Sequence, residues 1–420
     1  MRKSLSFVVM ILVLGLVFSS NAWSFKGPWQ KTKTIKIGIN APITGDIPEV
    51  GEGTKFAAQM WKADIDKAGG LEVGGKKYPV ELVIEDNESK AESAVKANSK
   101  MITEDEVLVI VGPQSSKQAV PAGDLANNYE TPMISPWSTN PKTTTGRPYI
   151  FRASFLDVAQ GPAMANFAIE NLRADTAAIL FDINSDYPKE LAQFFKSSFE
   201  GLKGSKSVVA FETFTTGDKD FSSQMNKIIN SGADVLFVPQ YYSEVSLIVA
   251  AARKMGWKKP ILGSDSWGSD HLMKQCGDNC KGYYFSTHYA AAGATGATKA
   301  FIDRYNKEHG NIPDDVGALT WDALRLAQTA IENSGKITGD LKKDRKAIRD
   351  AFAKIKNFPG ITGEMTFTSG GDPLKSVTIV KISSDGEYLP TWTATPETCT
   401  STACSQDYEC CDGICKESCD

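Results

Sequence analysis

Histidine is scarce in this chain of 420 residues: His271, His288 and His309 are all it has, and none sits in an H-E-x-x-H or comparable metal spacing. No G-x-S-x-G elbow, the turn that exposes a nucleophilic serine, occurs either. Hydrolysis by a bound metal or an activated serine therefore has no motif to stand on, and the many Asp and Glu pairs read as solvated faces. Basic clusters are missing from a chain of formal net charge -4, which excludes the electrostatic footprint of a nucleic-acid binder or of a protein held on an anionic membrane. Past residue 24 no apolar stretch approaches the roughly 18 residues of a spanning helix. Cysteine is absent before Cys276.

What is present begins with a leader. Arg2-Lys3 precede an apolar run of 12 residues from Phe7 to Phe18, and small residues follow up to Ala22 and Ser24. This is the order of a cleavable secretory signal over residues 1–24, too short to span a bilayer. With no cysteine after the run, a lipid anchor is not expected. Cleavage after Ser24 leaves about 396 residues, enough for two or three domains of ~100–200 residues, and losing Arg2 and Lys3 takes the charge from -4 to -6. In an exported chain the eight cysteines are expected in disulfides, with Cys276 and Cys280 closing a short loop of their own.

Apolar β-branched runs alternate with helical patterns through most of the sequence. Strands are expected at 35–40, 80–86, 107–111, 177–182, 207–211, 235–239 and 261–263, with helices at 52–68, 90–104, 116–129, 157–172, 188–201, 220–231 and 242–255. Such alternation gives an α/β protein of parallel sheets with helices on both faces. A Gly-Gly turn at 74–75 makes residues 71–80 a hairpin. Tyr149 to Ser154 is an extended segment suited to crossing between two lobes. Beyond it lie long helices near 297–309, 316–334 and 341–355 and strands at 363–368 and 376–382.

Two hydroxyl-rich turns stand out. The strand ending at Val111 exits through Gly112-Pro113, and Ser115-Ser116 read as the N-cap of the helix that follows. Thr131-Pro132-Met133-Ile134 repeats the pattern and runs into Ser135-Pro136-Trp137-Ser138-Thr139-Asn140-Pro141. Free N–H groups at a helix N-terminus attract carboxylates and phosphates, and neighbouring hydroxyls add donors. Neighbouring turns of this kind grip a small anion without doing chemistry on it.

With these turns, the export leader and the two-lobed plan, the chain over 33–395 resembles the type I periplasmic solute-binding proteins of ABC importers, and within them the branched-chain (Leu/Ile/Val) amino-acid binding group. The pieces that carry the resemblance are IKIGINAPITG at 35–45, GPQSSKQAVPAGD at 112–124, PMISPWSTNP at 132–141, Gln160-Gly161-Pro162, DYPKELA at 186–192 and GDKDFSSQM at 217–225. The resemblance implies two doubly wound parallel-sheet lobes joined by three crossovers, at 33–156 plus 287–373 and at 157–286 plus 374–395, closing on ligand by hinge motion. It implies that Ser116, Ser138 and Thr139 hold a ligand carboxylate and that Trp137 offers a backbone carbonyl to its ammonium. Tyr187, Tyr241 and Asp265 would come from the second lobe, Asp265 as counter-charge, because a buried unpaired ammonium is costly. Val50 and Trp321 lie where leucine and valine binders often carry Tyr, and Trp137 where they carry a small residue, so side-chain preference departs from the group. No metal and no cofactor are implied. The implied partners are a small-molecule amino acid or analogue and a membrane permease and ATPase complex in the periplasm. A binding protein that signals to a membrane receptor would carry the same site, and an amide or aromatic acid could replace the amino acid.

From Cys399 to Cys419 six cysteines fall within 21 residues that hold almost no aliphatic side chain. Such a segment cannot bury a core and needs cross-links to hold shape, so 396–420 reads as a disulfide tail separate from the lobes. Six cysteines allow fifteen pairings. Deleting residues 396–420 is expected to leave ligand affinity and the main melting transition unchanged in calorimetry and thermal melts, and lost binding would place the tail in the site.

Overall fold

The computed structural model describes residues 33–395 and the backbone of two strands further on, β18 and β19 below. The leader and the pairing of the six tail cysteines lie outside the described residues. In chain order the first sheet is built from β1 (Ile35–Ala41), α1 (Pro48–Lys67), the hairpin β2 (Leu71–Val73) and β3 (Lys76–Tyr78), β4 (Val80–Asp86), α2 (Ala91–Thr103), β5 (Val109–Val111), α3 (Ser116–Asn128), β6 (Met133–Ser135) and β7 (Ile150–Arg152). The second follows with α4 (Asp157–Glu170), β8 (Ala177–Asp182), α5 (Asp186–Lys203), β9 (Val208–Phe214), α6 (Ser222–Asn230), β10 (Val235–Val238), α7 (Tyr242–Lys254), β11 (Ile261–Gly263), α8 (Asp270–Cys276) and β12 (Tyr284–Thr287). Then come α9 (Gly296–His309), α10 (Asp315–Glu332), α11 (Leu341–Phe352), β13 (Phe358–Gly360), β14 (Gly363–Phe367), β15 (Pro373–Leu374), β16 (Val377–Ile382) and β17 (Tyr388–Ala394). The antiparallel pair β18 (Glu409–Cys411) and β19 (Ile414–Lys416) ends the described chain.

The first sheet runs β4-β1-β5-β6-β7 and is parallel throughout. Strands β5 and β6 are buried along their whole length, as helices covering both faces require. The second runs β9-β8-β10-β11-β12-β16-β17, so both sheets share one winding order and each has a topological switch point, between β1 and β5 and between β8 and β10. After β12 the chain leaves the second sheet. Helix α10 packs on α1 and on β5 of the first lobe, burying Val316, Leu319, Ala323 and Leu326, and the chain returns as β16.

Three expectations need correction. The second sheet is not wholly parallel: β16 pairs antiparallel with β12 and β17 antiparallel with β16. A hairpin closed from Ser383 to Glu387 joins the last two, whereas a parallel neighbour would need a long crossover. The segment 149–154 is not merely a crossing, since Ile150–Arg152 pairs with β6 as the fifth strand. Strand β5 starts at Val109 rather than 107, because the Val107 N–H donates to the Met101 carbonyl and the Val107 carbonyl accepts from buried Arg345 at 2.7 Å. Cys276 and Cys280 form a disulfide with a Cα separation of 5.6 Å. No helix among the described residues is long and apolar enough to cross a membrane.

Where the chain passes between sheets, buried polar side chains tie the passages together. Arg152 is fully buried; its Nε donates to Asp372 Oδ1 at 2.7 Å, Nη1 to the Ser138 carbonyl at 2.7 Å, and Nη2 to the Asn140 carbonyl at 2.9 Å and to Thr144 Oγ1 at 2.8 Å. Lys375 Nζ donates to the Ala153 carbonyl at 2.9 Å, and burial pulls its pKa down to about 8. The His288 ring stacks on Phe155 at 3.8 Å, and its Nδ1 lies 3.0 Å from Asp315 Oδ2. Burial lowers His288 to about 3 and raises Asp315 to about 7, so the imidazole is neutral at pH 7. Asp372→Ala leaves the Arg152 charge buried without its carboxylate and is expected to cost about 3–5 kcal/mol in urea denaturation. A loss below about 1 kcal/mol would mean that the carbonyl acceptors alone satisfy the guanidinium.

Candidate ligand-binding cleft

The site is assembled at the carboxyl ends of the strands. Leaving β5, the chain turns at Gly112 with φ +104°, and a Cβ there would lie 2.1 Å from the Asn40 carbonyl oxygen, so only glycine lets this turn pass over β1. Ser116 opens α3. The expected side-chain cap is not made: Ser115 holds the N-cap position, but its hydroxyl donates to the Gln118 side chain, because that acceptor lies one turn along the same helix. The N–H end of α3 thus carries no side-chain cap. Ser135 Oγ donates to the Pro113 carbonyl at 2.6 Å and accepts from the Ser138 N–H at 3.2 Å, which joins the two hydroxyl turns. Ser138 Oγ lies 2.8 Å from Ser116 Oγ and 2.6 Å from Thr143 Oγ1. Arg152 holds the same loop from below through the Ser138 and Asn140 carbonyls.

The facing groups come from the second sheet. Tyr187 sits in the first turn of α5, Tyr241 at the N-cap of α7, and Asp265 opens a 3-10 turn after β11. The contacts close into a ring. The Asp157 N–H donates to the Thr139 carbonyl at 2.9 Å, Gln160 Nε2 donates to Asp157 Oδ1 at 3.2 Å, and Gln160 Oε1 accepts from the Asp265 N–H at 3.0 Å. Tyr187 OH donates to Asp265 Oδ1 at 2.5 Å, the Tyr187 ring is 5.4 Å from that of Tyr241, and Tyr241 is 5.8 Å from Trp137, which is two residues from Thr139. Across the same cleft Asn140 Nδ2 donates to Glu190 Oε2 at 2.9 Å, and Tyr242 OH donates to Glu49.

Electrostatics divide this ring. Burial raises Asp265 to about 6, against which the Tyr187 hydrogen bond acts. Burial and then the charge of Asp265 push Asp157 well above the carboxylate range. The Thr139 hydroxyl approaches Asp157, yet neither Thr139 Oγ1 nor Asp157 Oδ2 makes a directed hydrogen bond, and the Trp137 indole N–H has no acceptor. A buried polar group without a partner costs about 1–3 kcal/mol. The arrangement offers donors on the first-lobe side, from the indole, the Thr139 hydroxyl and the α3 N-terminus, and carboxyl acceptors at Asp157 and Asp265. That combination suits a small zwitterion. The nearby serine hydroxyls bond to one another, and His288 is committed to Asp315, so no nucleophile is paired with a base. Among the described residues no group of three or more His, Cys, Asp or Glu is placed to hold a metal ion.

The structure thus brings Trp137, Thr139, Tyr187, Tyr241 and Asp265 together, with Ser116 and Ser138 bonded just behind them. Val50 is buried in α1, in the core cluster that also holds Trp137 and Trp267. Trp321 stands apart: on α10 its ring packs 5.2 Å from Phe301 with the Arg304 guanidinium over it, because its helix face turns toward α9. Sequence reasoning missed Asp157 and Arg152 and gave Gln160 only as part of a motif. An aspartate opening a helix after an extended segment was the available signal for Asp157. Arg152, in an apolar run, carried none.

Comparison with known proteins follows this geometry. The profile described as periplasmic binding protein matches residues 34–387. The leucine-, isoleucine-, valine-, threonine- and alanine-binding protein of Pseudomonas aeruginosa is 29% identical over 343 residues, covering 81% of this chain and 87% of that protein. The crystal structure of the leucine binding protein LivK from Thermotoga maritima superposes with a TM-score of 0.79 at 31% identity, over 86% of this chain and 99% of LivK. The branched-chain amino acid transporter substrate binding protein LivJ from Streptococcus pneumoniae, solved with isoleucine, gives a TM-score of 0.79 at 31% identity over 87% and 100%.

The raised Asp265 pKa has a measurable sign. The folded carboxyl, at about 6, binds its proton more tightly than the unfolded one at 3.8, so its stabilising contribution is full below pH 4 and is lost as pH rises to about 6. Thermal melts of the wild type are expected to fall relative to Asp265→Asn across that window, by roughly 3 kcal/mol in all. Parallel pH profiles would show that the carboxyl titrates normally.

Proposed function

The chain belongs to the periplasmic binding protein family, and from that premise we propose that it is the extracytoplasmic substrate-binding component of an ABC importer, capturing an α-amino acid by closure of its two lobes. One observation carries the reading: the buried Trp137 indole and Thr139 hydroxyl, both without a partner, lie in one ring of contacts with the buried carboxyl groups of Asp157 and Asp265. The ligand carboxylate takes the α3 N-terminus with Ser116, Ser138, Thr139 and the Trp137 indole, and the ammonium lies against Asp265 and Asp157. Tyr187 and Tyr241 close over it. The leucine, valine and isoleucine in the relatives' names are the first ligands to test. On this reading the protein is not an enzyme, needs no cofactor, works in the periplasm and hands its ligand to a membrane permease with its ATPase.

The lobes of this proposal span 33–156 with 287–373 and 157–286 with 374–395. Their hinges lie at 153–157, 287–289 and 372–374. Stacking of Phe155 on His288 and the bond from Lys375 to Ala153 support this division, since they hold the passages side by side while the sheet edges stay free to approach.

Calorimetry across the twenty amino acids is expected to find a ligand with Kd on the order of 1 μM, about -8 kcal/mol. Asp265→Ala should lose about 2–5 kcal/mol of that by leaving the ammonium unpaired. Tight binding of a carboxylic acid or amide lacking an ammonium, with Asp265→Ala unchanged, would overturn the amino-acid reading and keep the binding protein.

Affinity also depends on pH. The ligand ammonium favours ionised Asp265, so binding is expected to strengthen from pH 4 to about 6 and level off above, with protons released at pH 5.5. Calorimetry in buffers of different ionisation enthalpy reads this, and zero proton release at pH 5.5 would remove Asp265 from the ligand.

A further inference from the structure

A second cavity, of about 40 Å³, shares Tyr241 with the ring described above. Its walls include Ser115 and Lys117 after β5, Asp182 and Ser185 after β8, and Gln240 and Glu244 after β10. These loops flank the switch point of each sheet, where open α/β folds hold their ligands. The cavity therefore adjoins the ring at Tyr241.

Its chemistry is one-sided. Asp182 and Glu244 are both buried and neither forms an ion pair among the described residues. Asp182 Oδ1 accepts from the Asn184 N–H at 2.9 Å and Oδ2 from the Thr216 hydroxyl. Glu244 accepts from the Gly217 N–H at 3.3 Å, from Gln240 Nε2 at 3.0 Å and from the Ser243 hydroxyl. Beside these carboxylates, Ser185 Oγ and Gln240 Oε1 are buried with no hydrogen-bond partner at all. Among the described residues Lys117, half-buried, is the one cation lining the cavity and pairs with neither acid. Two buried carboxylates and the acceptor-only oxygen of Gln240 call for a donor, and the Ser185 hydroxyl can accept from it as well.

We propose that this cavity is a side-chain subsite for nitrogen: the ligand is an α-amino acid whose side chain ends in a hydrogen-bond-donating amide, ammonium or guanidinium group. The inference rests on the α-amino-acid reading of the ring at Asp265, which fixes the end of the ligand from which the side chain departs. About 40 Å³ is room for a small head group, since one water needs roughly 10–15 Å³. A hydrocarbon end would leave Ser185 and Gln240 unpartnered and two carboxylates facing apolar atoms.

Calorimetry on the full chain tests this with matched ligands, lysine and glutamine against norleucine and leucine. At least one nitrogen-bearing ligand is expected to bind about tenfold or more tighter than norleucine, and Glu244→Gln and Ser185→Ala are expected to shrink that ratio toward one. Asp265→Ala should weaken every amino acid alike. Norleucine or leucine binding as tightly as lysine and glutamine would overturn the subsite and leave the amino-acid site standing. A ratio unchanged in both variants, each shown folded by its melt, would overturn it as well. If no amino acid binds while an acid lacking an ammonium does, the ring reading and the subsite fall together.

Discussion

The buried guanidinium of Arg152 is the contact on which the site depends. It pairs with Asp372 across 220 positions of sequence and spends its remaining donors on the carbonyls of Ser138 and Asn140 and the hydroxyl of Thr144. A loop that is mostly Ser, Thr, Asn and Pro has, apart from Trp137, few apolar side chains with which to hold itself. Arg supplies five donors in a rigid fork, so one side chain fixes several backbone groups that would otherwise be buried unpaired. The loop it fixes presents Trp137 and Thr139 to the cleft, and the ion pair links the first passage between lobes to the third.

Closure then sets a balance between desolvation and ligand contacts. Asp157 and Asp265 are both buried with no cation bonded to either, an arrangement that raises their pKa values and weakens the closed form. On the proposed function, a ligand ammonium would supply the missing charge and so favour the closed arrangement over the open one, as a ligand must if it is to shift the equilibrium. The cleft-spanning hydrogen bonds from Asn140 to Glu190 and from Tyr242 to Glu49 join the same two sides.

Much of the molecule was legible along the chain. Strands β4, β8 and β11 and helix α3 fall within a residue of the expected positions, since period-2 and period-3.6 patterning with Gly and Pro punctuation is a local property. The hydroxyl turns were legible for the same reason, since a strand end followed by a cap residue and a helix is local grammar, whereas Asp265 was reached through the family resemblance. Asp157, Gln160 and Arg152 were not. Their roles exist only because distant segments meet, with Gln160 reaching both Asp157 and the Asp265 N–H 105 positions away. The antiparallel edge of the second sheet escaped notice because β16 finds its neighbour only after the chain has returned from the first lobe.

By itself the sequence determined the α/β alternation and the hydroxyl, aromatic and carboxyl residue types that line the cleft, because composition and short-range periodicity carry that information. Tertiary structure decided which of those residues meet. It drew Trp137, Thr139, Tyr187, Tyr241 and Asp265 into one ring, added Asp157, and sent Trp321 to pack against Phe301. It also gathered Asp182, Ser185, Gln240 and Glu244 from the ends of separate strands into one cavity. The physical reason is the doubly wound topology: parallel strands put all their outgoing loops at one edge, and two such edges facing each other bring together side chains that nothing along the chain connects.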